Sequence, residues 1–558
     1  MFRNYFVKYW VIFVIFIVAL LLRTYNLSEI PVGLHGDEAS IGYTAYSLLN
    51  TLHDQNGNFL PIAIDQFGDF RPAGYHYLDI PFVALLGLSE FAVRLPAALF
   101  GSLAVIAIYL LVFQLFESRK MATLSALLLA ILPWDVNISR ASSESIIATF
   151  FVILGVYFFV KFIKKKSFSY ISLVASSLLL ITSFFFYHAH RFFVPAFFPF
   201  LIVSSIFAFR PKKKKIIGSF ILFGVIFVGL LVFIVFGQGT GRASEVSLLS
   251  IPGGTTNLKQ AMDEEGTLPP VINRFYNNKL IYYGRFFVNF YSQHLSGDFL
   301  FVNNGNPMRY RIPFTGNLYF VMLPFFLFGF ASLLTQGLKE QKYHYLMPIA
   351  WLLIAPIPAG LTWEDLPNVI RASIMIPALI IITTFGFFEV LTLFKNKNVK
   401  TIIVVVAGLL LAHNFLYFCH NYYWRSKIHE PWHRSGAEKE LLFQVNQIAK
   451  PTDSIVMTTE RNNNLIFYLF YNKFDPKKFQ ELGSPKEHDG LKFGNITYTG
   501  NSCPLRGESE EVVTDIPNTI FVDKEDCPLP KNAETLSTLR FTDGVPAFKI
   551  VKTVDVKK

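Results

Sequence analysis

Apolar and polar positions in this chain alternate in whole segments rather than residue by residue. Nearly uncharged stretches, most of them 16–23 residues long, follow one another from the start to about residue 419, with polar links between them. Runs of that length match the thickness of a bilayer core, where a helix satisfies every backbone polar group within its own segment. The pattern predicts crossings at Phe6–Leu22, Phe91–Phe116, Met121–Trp134, Ser145–Val160, Tyr170–Phe186, Phe192–Phe209, Ile216–Phe236, Leu318–Leu334, Tyr345–Leu361, Ala372–Phe394 and Thr401–Phe418, about eleven in all. Tyr75–Leu88 is apolar but is interrupted by Asp79 and is short for a crossing, so it reads as an interfacial helix.

The links confirm that count from an independent direction. Arg119-Lys120, Lys161 with Lys164–Lys166, Lys212–Lys215, Lys339 with Lys342, and Lys395 with Lys397 and Lys400 all fall on one side if Tyr75–Leu88 does not cross. That side is the cytoplasm by the positive-inside rule. The N-terminus is then cytoplasmic. The loops 23–90 and 237–316 and the tail from residue 420 are extracytoplasmic. No small-residue cleavage site follows the first run, so it reads as a retained helix.

The tail changes period. Ala437–Ala449 reads as a helix, Ser454–Thr459, Thr519–Asp523 and Phe548–Val554 as strands, and Leu465–Tyr471 as either. The expected architecture is therefore a polytopic all-α membrane domain over residues 1–419 and a soluble α/β domain over 420–558.

Composition then narrows the class. Apolar residues make up 52% and charged residues 16%, which excludes an ordinary soluble protein. The formal charge of +11 sits in the cytoplasmic links rather than on one face or tail, so nucleic acid is not an expected partner. Of three cysteines, Cys419, Cys503 and Cys527, none has a metal-ligand spacing. Cys503 and Cys527 lie in the extracytoplasmic tail, where a disulfide and two separate thiols are both open.

Candidate chemistry collects on the outer side, at helix ends: Asp37, Glu38, Arg71, Arg94, Arg140, Glu144, His188, His190, Arg191 and Arg371. Ionisable groups near the bilayer pair with one another or line a wet cavity. Several arginines beside several carboxylates suit a substrate that carries a phosphate, together with a hydroxyl to be deprotonated. Each residue also has a structural reading. Asp37 could cap the helix that follows it, Arg94 could anchor a helix at the headgroups, Glu144 could pair with Arg140 at i, i+4, and His188, His190 and Arg191 could be interfacial polar residues.

The order of these residues resembles a known family. A Gly36-Asp37-Glu38 in the first outer loop is followed by Arg71-Pro72 with Tyr75, and then by Phe91-Ala92-Val93-Arg94-Leu95-Pro96 opening a long apolar run. Over Leu34–Ser47, Phe70–Tyr77, Phe91–Tyr109 and Arg140–Phe151 the chain resembles the GT-C superfamily of polyprenyl-phosphate-sugar-dependent glycosyltransferases. The protein O-mannosyltransferases and the lipid A aminoarabinose transferases are the members it is most similar to.

The resemblance implies a polyprenyl-phosphate sugar as donor and a hydroxyl on a protein, lipid or glycan as acceptor. It implies Asp37 as general base with Glu38 beside it, and Arg71 on the lipid-linked phosphate. Arg140 and Arg371 follow as further phosphate contacts, Glu144 as a supporting acid, and His188, His190 and Arg191 as weaker candidates. Arg71 stands where the aminoarabinose transferases carry Lys, and a guanidinium binds phosphate bidentately. A single displacement would invert the anomeric carbon. No cofactor is required, although a divalent ion could be held by Asp37 and Glu38. The competing readings are a transporter or flippase for a lipid-linked or anionic substrate, and a scaffold whose outer domain binds a partner.

Overall fold

The computed structural model describes residues 2–66, 68–165, 167–236, 245–460, 465–505 and 516–554. The start of the long loop expected from Gly237 lies outside these residues. The chain divides into two units, one of 1–25, 69–74 and 97–421, and one of 26–68, 75–96 and 422–558. The expected tail domain is thus the largest piece of the second unit, but two segments of the first outer loop fold with it.

The first unit is helical. Its elements include α1 (Phe2–Thr24), the end of α4 (Glu90–Phe116), α5 (Arg119–Ile131), α6 (Pro133–Ser139), α7 (Glu144–Lys164), α8 (Tyr170–Phe186), α9 (His188–Phe209) and α10 (Lys213–Phe236). Seven helices among the described residues are long and apolar enough to cross a membrane, and an eighth joins them if α5 and α6 count as one span bent by 54°. The protein is an integral membrane protein.

The sequence pattern overstates the number of straight crossings, and proline explains two of the cases. Met121–Trp134 breaks before Pro133, because the residue preceding a proline is pushed out of the helical region. Tyr345–Leu361 breaks into Leu346–Ile354 and Ile357–Gly360 around Pro356. Tyr170–Phe186 is a helix of 17 residues, slightly short for the span criterion.

The second unit is built on a six-stranded sheet. With β3 (Ser454–Thr458), β4 (Lys492–Phe493), β5 (Ile496–Thr499), β6 (Thr519–Lys524), β7 (Ala533–Arg540) and β8 (Pro546–Thr553), the order is β4-β5-β3-β6-β8-β7. β3 lies between β5 and β6 and is parallel to both, with Ile455 opposite Ile496 on one side and Ile520 on the other. The remaining pairs are antiparallel. The continuous apolar run Ile520-Phe521-Val522 marks a strand covered on both faces, and these residues are buried. The ambiguous run Leu465–Tyr471 is a helix. Cys503 and Cys527 are bonded to each other.

The same unit contains α2 (Gly36–Thr51), most of α3 (Gly74–Leu86) and the start of α4. The tail grips α2 directly. Tyr43 Oη donates to Phe474 O at 3.2 Å, and Gln480 Nε2 donates to Ser47 Oγ, Thr51 Oγ1 and Asp54 O at 3.0–3.1 Å. α3 is 13 residues long and does not meet the span criterion, in keeping with an interfacial helix.

Candidate active site

The acidic pair sits at the start of α2 in the second unit. His35 is the N-cap: its Nδ1 accepts from Asp37 N–H at 3.2 Å, and Glu38 at N3 reaches back to accept from His35 N–H at 3.1 Å. This reciprocal capping box occupies the role that a local reading could give to Asp37. Asp37 instead takes the N2 position, with its side chain 21% exposed. Negative charge at a helix N-terminus is favourable by about 0.3–1 kcal/mol, so the position suits an acidic residue. Since His35 Nδ1 accepts a hydrogen bond, it is not the protonated nitrogen, and its 3.5 Å approach to Asp37 Oδ2 is not a hydrogen bond.

Glu38 is in a different environment. Its two oxygens accept from Arg94 Nε and Nη2 at 3.0 and 3.1 Å, and both residues are buried. Burial alone would raise the carboxyl's pKa. Arg94, with help from Arg434 and the His35 N–H, brings it down to about 2. Arg94 also donates to Leu27 O at 3.1 Å, Pro31 O at 3.0 Å and Gly33 O. One guanidinium therefore gathers the carbonyls of the preceding loop and pins them to α2. Glu38 is a structural anchor here, and a cation against both its oxygens makes Asp37–Glu38 a poor seat for a divalent ion. Among the described residues, no group of three or more His, Cys, Asp or Glu is arranged to hold a metal.

Gly33 closes the same loop at φ +70°, where a Cβ would lie 2.3 Å from Arg434 O. Only glycine fits there.

The basic candidates lie in the first unit, and the structure separates them. Arg140 is fully buried and donates to Leu22 O at 2.8 Å and Tyr25 O at 2.7 Å, at the C-terminal end of α1. It serves there as a cap on carbonyls that the helix leaves unsatisfied. Arg371 donates to Glu364 Oε2 at 3.1 Å, Glu364 O at 2.7 Å and Thr362 Oγ1 at 3.0 Å. Its own N–H is held by Asn368 Oδ1 at 2.8 Å.

Arg71 lies on β2 (Asp69–Pro72). Three of the expected residues act electrostatically on one that the sequence reading did not single out, Tyr187, at the break between α8 and α9. Enclosure raises its phenol pKa, and the charges of Arg371, Glu144 and Arg71 and the phenol of Tyr310 all act on it. The signal for Tyr187 was present as a tyrosine interrupting two apolar runs, but nothing local records what surrounds it. Glu144 is buried in the first turn of α7.

The histidines divide as well. His190 is buried and contacts Thr149 Oγ1 at 3.2 Å. His188 Nε2 lies 3.2 Å from Phe70 O, the residue before Arg71. Arg191 Nη1 is 3.2 Å from His188 Nδ1, and Arg191 Nε donates to Phe184 O at 2.9 Å.

Residues 71–236, which include Arg71, Arg140, Glu144 and Tyr187–Arg191, match the family described as dolichyl-phosphate-mannose-protein mannosyltransferase. The GT-C resemblance read from the sequence is the one found. Among solved structures, the oligosaccharyltransferase of Archaeoglobus fulgidus tethered with an acceptor peptide is 14% identical over 92% of this chain, with a TM-score of 0.50. The chain spans 62% of that protein's length. ArnT from Cupriavidus metallidurans bound to undecaprenyl phosphate is 14% identical, covering 96% of this chain and 97% of ArnT, with a TM-score of 0.49. The Pmt1–Pmt2 protein O-mannosyltransferase complex of S. cerevisiae bound to the sugar donor is 17% identical over 43% of this chain and 35% of that one, with a TM-score of 0.32. No curated protein matches the chain by sequence.

Proposed function

We propose that this protein is an inverting glycosyltransferase that moves a sugar from a polyprenyl-phosphate donor to an acceptor hydroxyl on the outer face of the membrane. One observation carries the reading: the charges of Arg71, Arg371 and Glu144 all act on the enclosed Tyr187 within the membrane unit, and Arg71, Glu144 and Tyr187 fall in the region that matches the mannosyltransferase family. A polyprenyl phosphate is an anion on a lipid tail. Two guanidiniums in a unit of membrane-spanning helices answer both properties.

The chemistry needs two things. The bond from the anomeric carbon to the phosphate oxygen breaks, so negative charge develops on the leaving phosphate. Arg71 holds that charge, assisted by Arg371, and fixed cations in a water-poor site stabilise it more than solvent does. The acceptor hydroxyl loses its proton as it attacks, and Asp37 takes that proton. A single displacement inverts the anomeric carbon. Glu144 balances the arginines, while Glu38, Arg94 and Arg140 hold backbone. The lysine clusters between spans support a cytoplasmic N-terminus, with the acidic loop and the sheet domain outside, by the positive-inside rule. The acceptor is a hydroxyl on a protein, lipid or glycan. No step is routed through a metal.

The test compares wild type and Asp37→Asn, purified and reconstituted in lipid, for release of polyprenyl phosphate from a panel of polyprenyl-phosphate sugars with membrane extract as acceptor. Loss of turnover by about 100- to 10,000-fold with donor binding kept is the expected outcome. Equal turnover in both would remove Asp37 from the base role.

A further inference from the structure

We propose that His188 is a positioning residue for Arg71, acting through the backbone of β2 rather than by touching substrate. The inference rests on Arg71 being the contact to the donor's phosphate.

The two ring contacts assign the tautomer. Arg191 Nη1 lies 3.2 Å from His188 Nδ1, and a guanidinium can only donate, so Nδ1 accepts. The ring proton then sits on Nε2, which lies 3.2 Å from Phe70 O and donates to it. A neutral imidazole thus passes one hydrogen bond from α9 to the peptide that immediately precedes Arg71. Protonation of Nδ1 would set two cations against each other and remove the Arg191 contact.

Arg191 is itself held in place. Its Nε bonds Phe184 O at 2.9 Å, and its guanidinium lies 5.2 Å from the centroid of the Phe233 ring on α10. The relay therefore ends on two further helices rather than on a mobile side chain.

A second contact fixes the other flank of Arg71. At Gly74 a Cβ would lie 2.4 Å from Phe185 O and 3.1 Å from Phe186 Cδ1, so the backbone there is pressed against the end of α8. Arg71 is thus flanked by a hydrogen-bonded carbonyl at Phe70 and a close backbone contact at Gly74. A side chain whose base is located on both sides has less freedom to lose on gripping an anion, which is the usual route by which supporting contacts raise affinity.

The test uses the full-length protein in lipid and measures affinity for polyprenyl phosphate, alongside thermal unfolding. His188→Phe removes both ring contacts. His188→Asn keeps an acceptor for Arg191 but stops short of Phe70, whereas His188→Gln carries an amide N–H out to where Nε2 stands. We expect affinity to fall about tenfold in His188→Phe and His188→Asn, the effect of one lost hydrogen bond, and to recover largely in His188→Gln. His188→Phe added to Arg71→Ala should weaken binding no further than Arg71→Ala alone, since residues acting as one unit are not additive. Affinity unchanged in His188→Phe, with Arg71→Ala strongly impaired, would overturn the positioning role and leave the phosphate reading standing. Equal losses in all three His188 variants, persisting in the Arg71→Ala background, would mark a general folding effect and also overturn it. Affinity unchanged in Arg71→Ala would overturn the phosphate reading itself.

Discussion

Two short segments carry the proposed chemistry, and each is pinned by a side chain from a distant helix, but by different physics. The loop before α2 is held by Arg94, a buried charge that pairs with Glu38 and bonds three carbonyls. The strand with Arg71 is held by a half-buried, neutral imidazole through one carbonyl. A buried ion pair specifies one geometry and is costly to break, because either partner left alone is an uncompensated charge. A single neutral hydrogen bond contributes only about 0.5–1.5 kcal/mol and allows adjustment. The acidic end is thus locked, with Asp37 placed by its neighbours, whereas the basic end is tuned.

The comparison breaks most visibly at Arg94. Arg94→Met strands Glu38 and should destabilise the second unit by about 3–5 kcal/mol. Thermal melts of the purified protein should show this, and Arg94→Met combined with Glu38→Leu should restore much of the loss. A melt unchanged in the single variant would mean the pair does not organise the loop.

Acid sharpens the same contrast. Glu38 has a pKa of about 2 in the folded protein against an ordinary value near 4.3. Its contribution, about 3 kcal/mol, is complete above the unfolded value and is lost as pH falls through about 2. Stability measured between pH 5 and pH 2 should fall more steeply in wild type than in Glu38→Gln.

The smallest effects separate the two glycines. Gly33→Ala meets both a left-handed φ and a backbone oxygen, and should cost about 1–3 kcal/mol of stability. Gly74→Ala has no left-handed φ to strain and meets only the end of α8, at Phe185 O and Phe186 Cδ1. It should move β2 and lower donor affinity more than it lowers the melting temperature.

Much of this fold was legible from segment hydropathy, because bilayer thickness acts on local sequence. Breaks at Pro133 and Pro356 needed attention to single residues inside otherwise apolar runs. In the sheet domain, β6 and β8 were legible from apolar runs. Thr497 and Thr499 dilute the pattern of β5, and Glu534, Ser537 and Thr538 that of the edge strand β7.

At the site, the sequence marked the right neighbourhoods but not who pairs with whom. Glu38 meets Arg94 across 56 positions and Arg140 meets Leu22 across 118. No spacing rule covers such distances. Both were expected beside the substrate; in the structure Arg94 takes up both oxygens of Glu38, and Arg140 Nη1 and Nη2 donate to Leu22 O and Tyr25 O. Tyr187 was overlooked for the converse reason, since its neighbours come from β2, α7 and the loop around Arg371.

The second unit draws on three pieces of chain, with residues 26–68 and 75–96 made before the membrane spans of 97–421 and residues 422–558 after them. The helix behind Asp37 donates to Phe474 O through Tyr43 and accepts from Gln480 at Ser47 only once that part of the chain has been made. At about 5–20 residues per second, the acidic loop leaves the ribosome tens of seconds before its partners exist. The helix that carries the proposed base therefore lacks these two partners while the spans between residues 97 and 421 are made, and under the proposed function full activity should appear only once residues 465–505 have folded onto it.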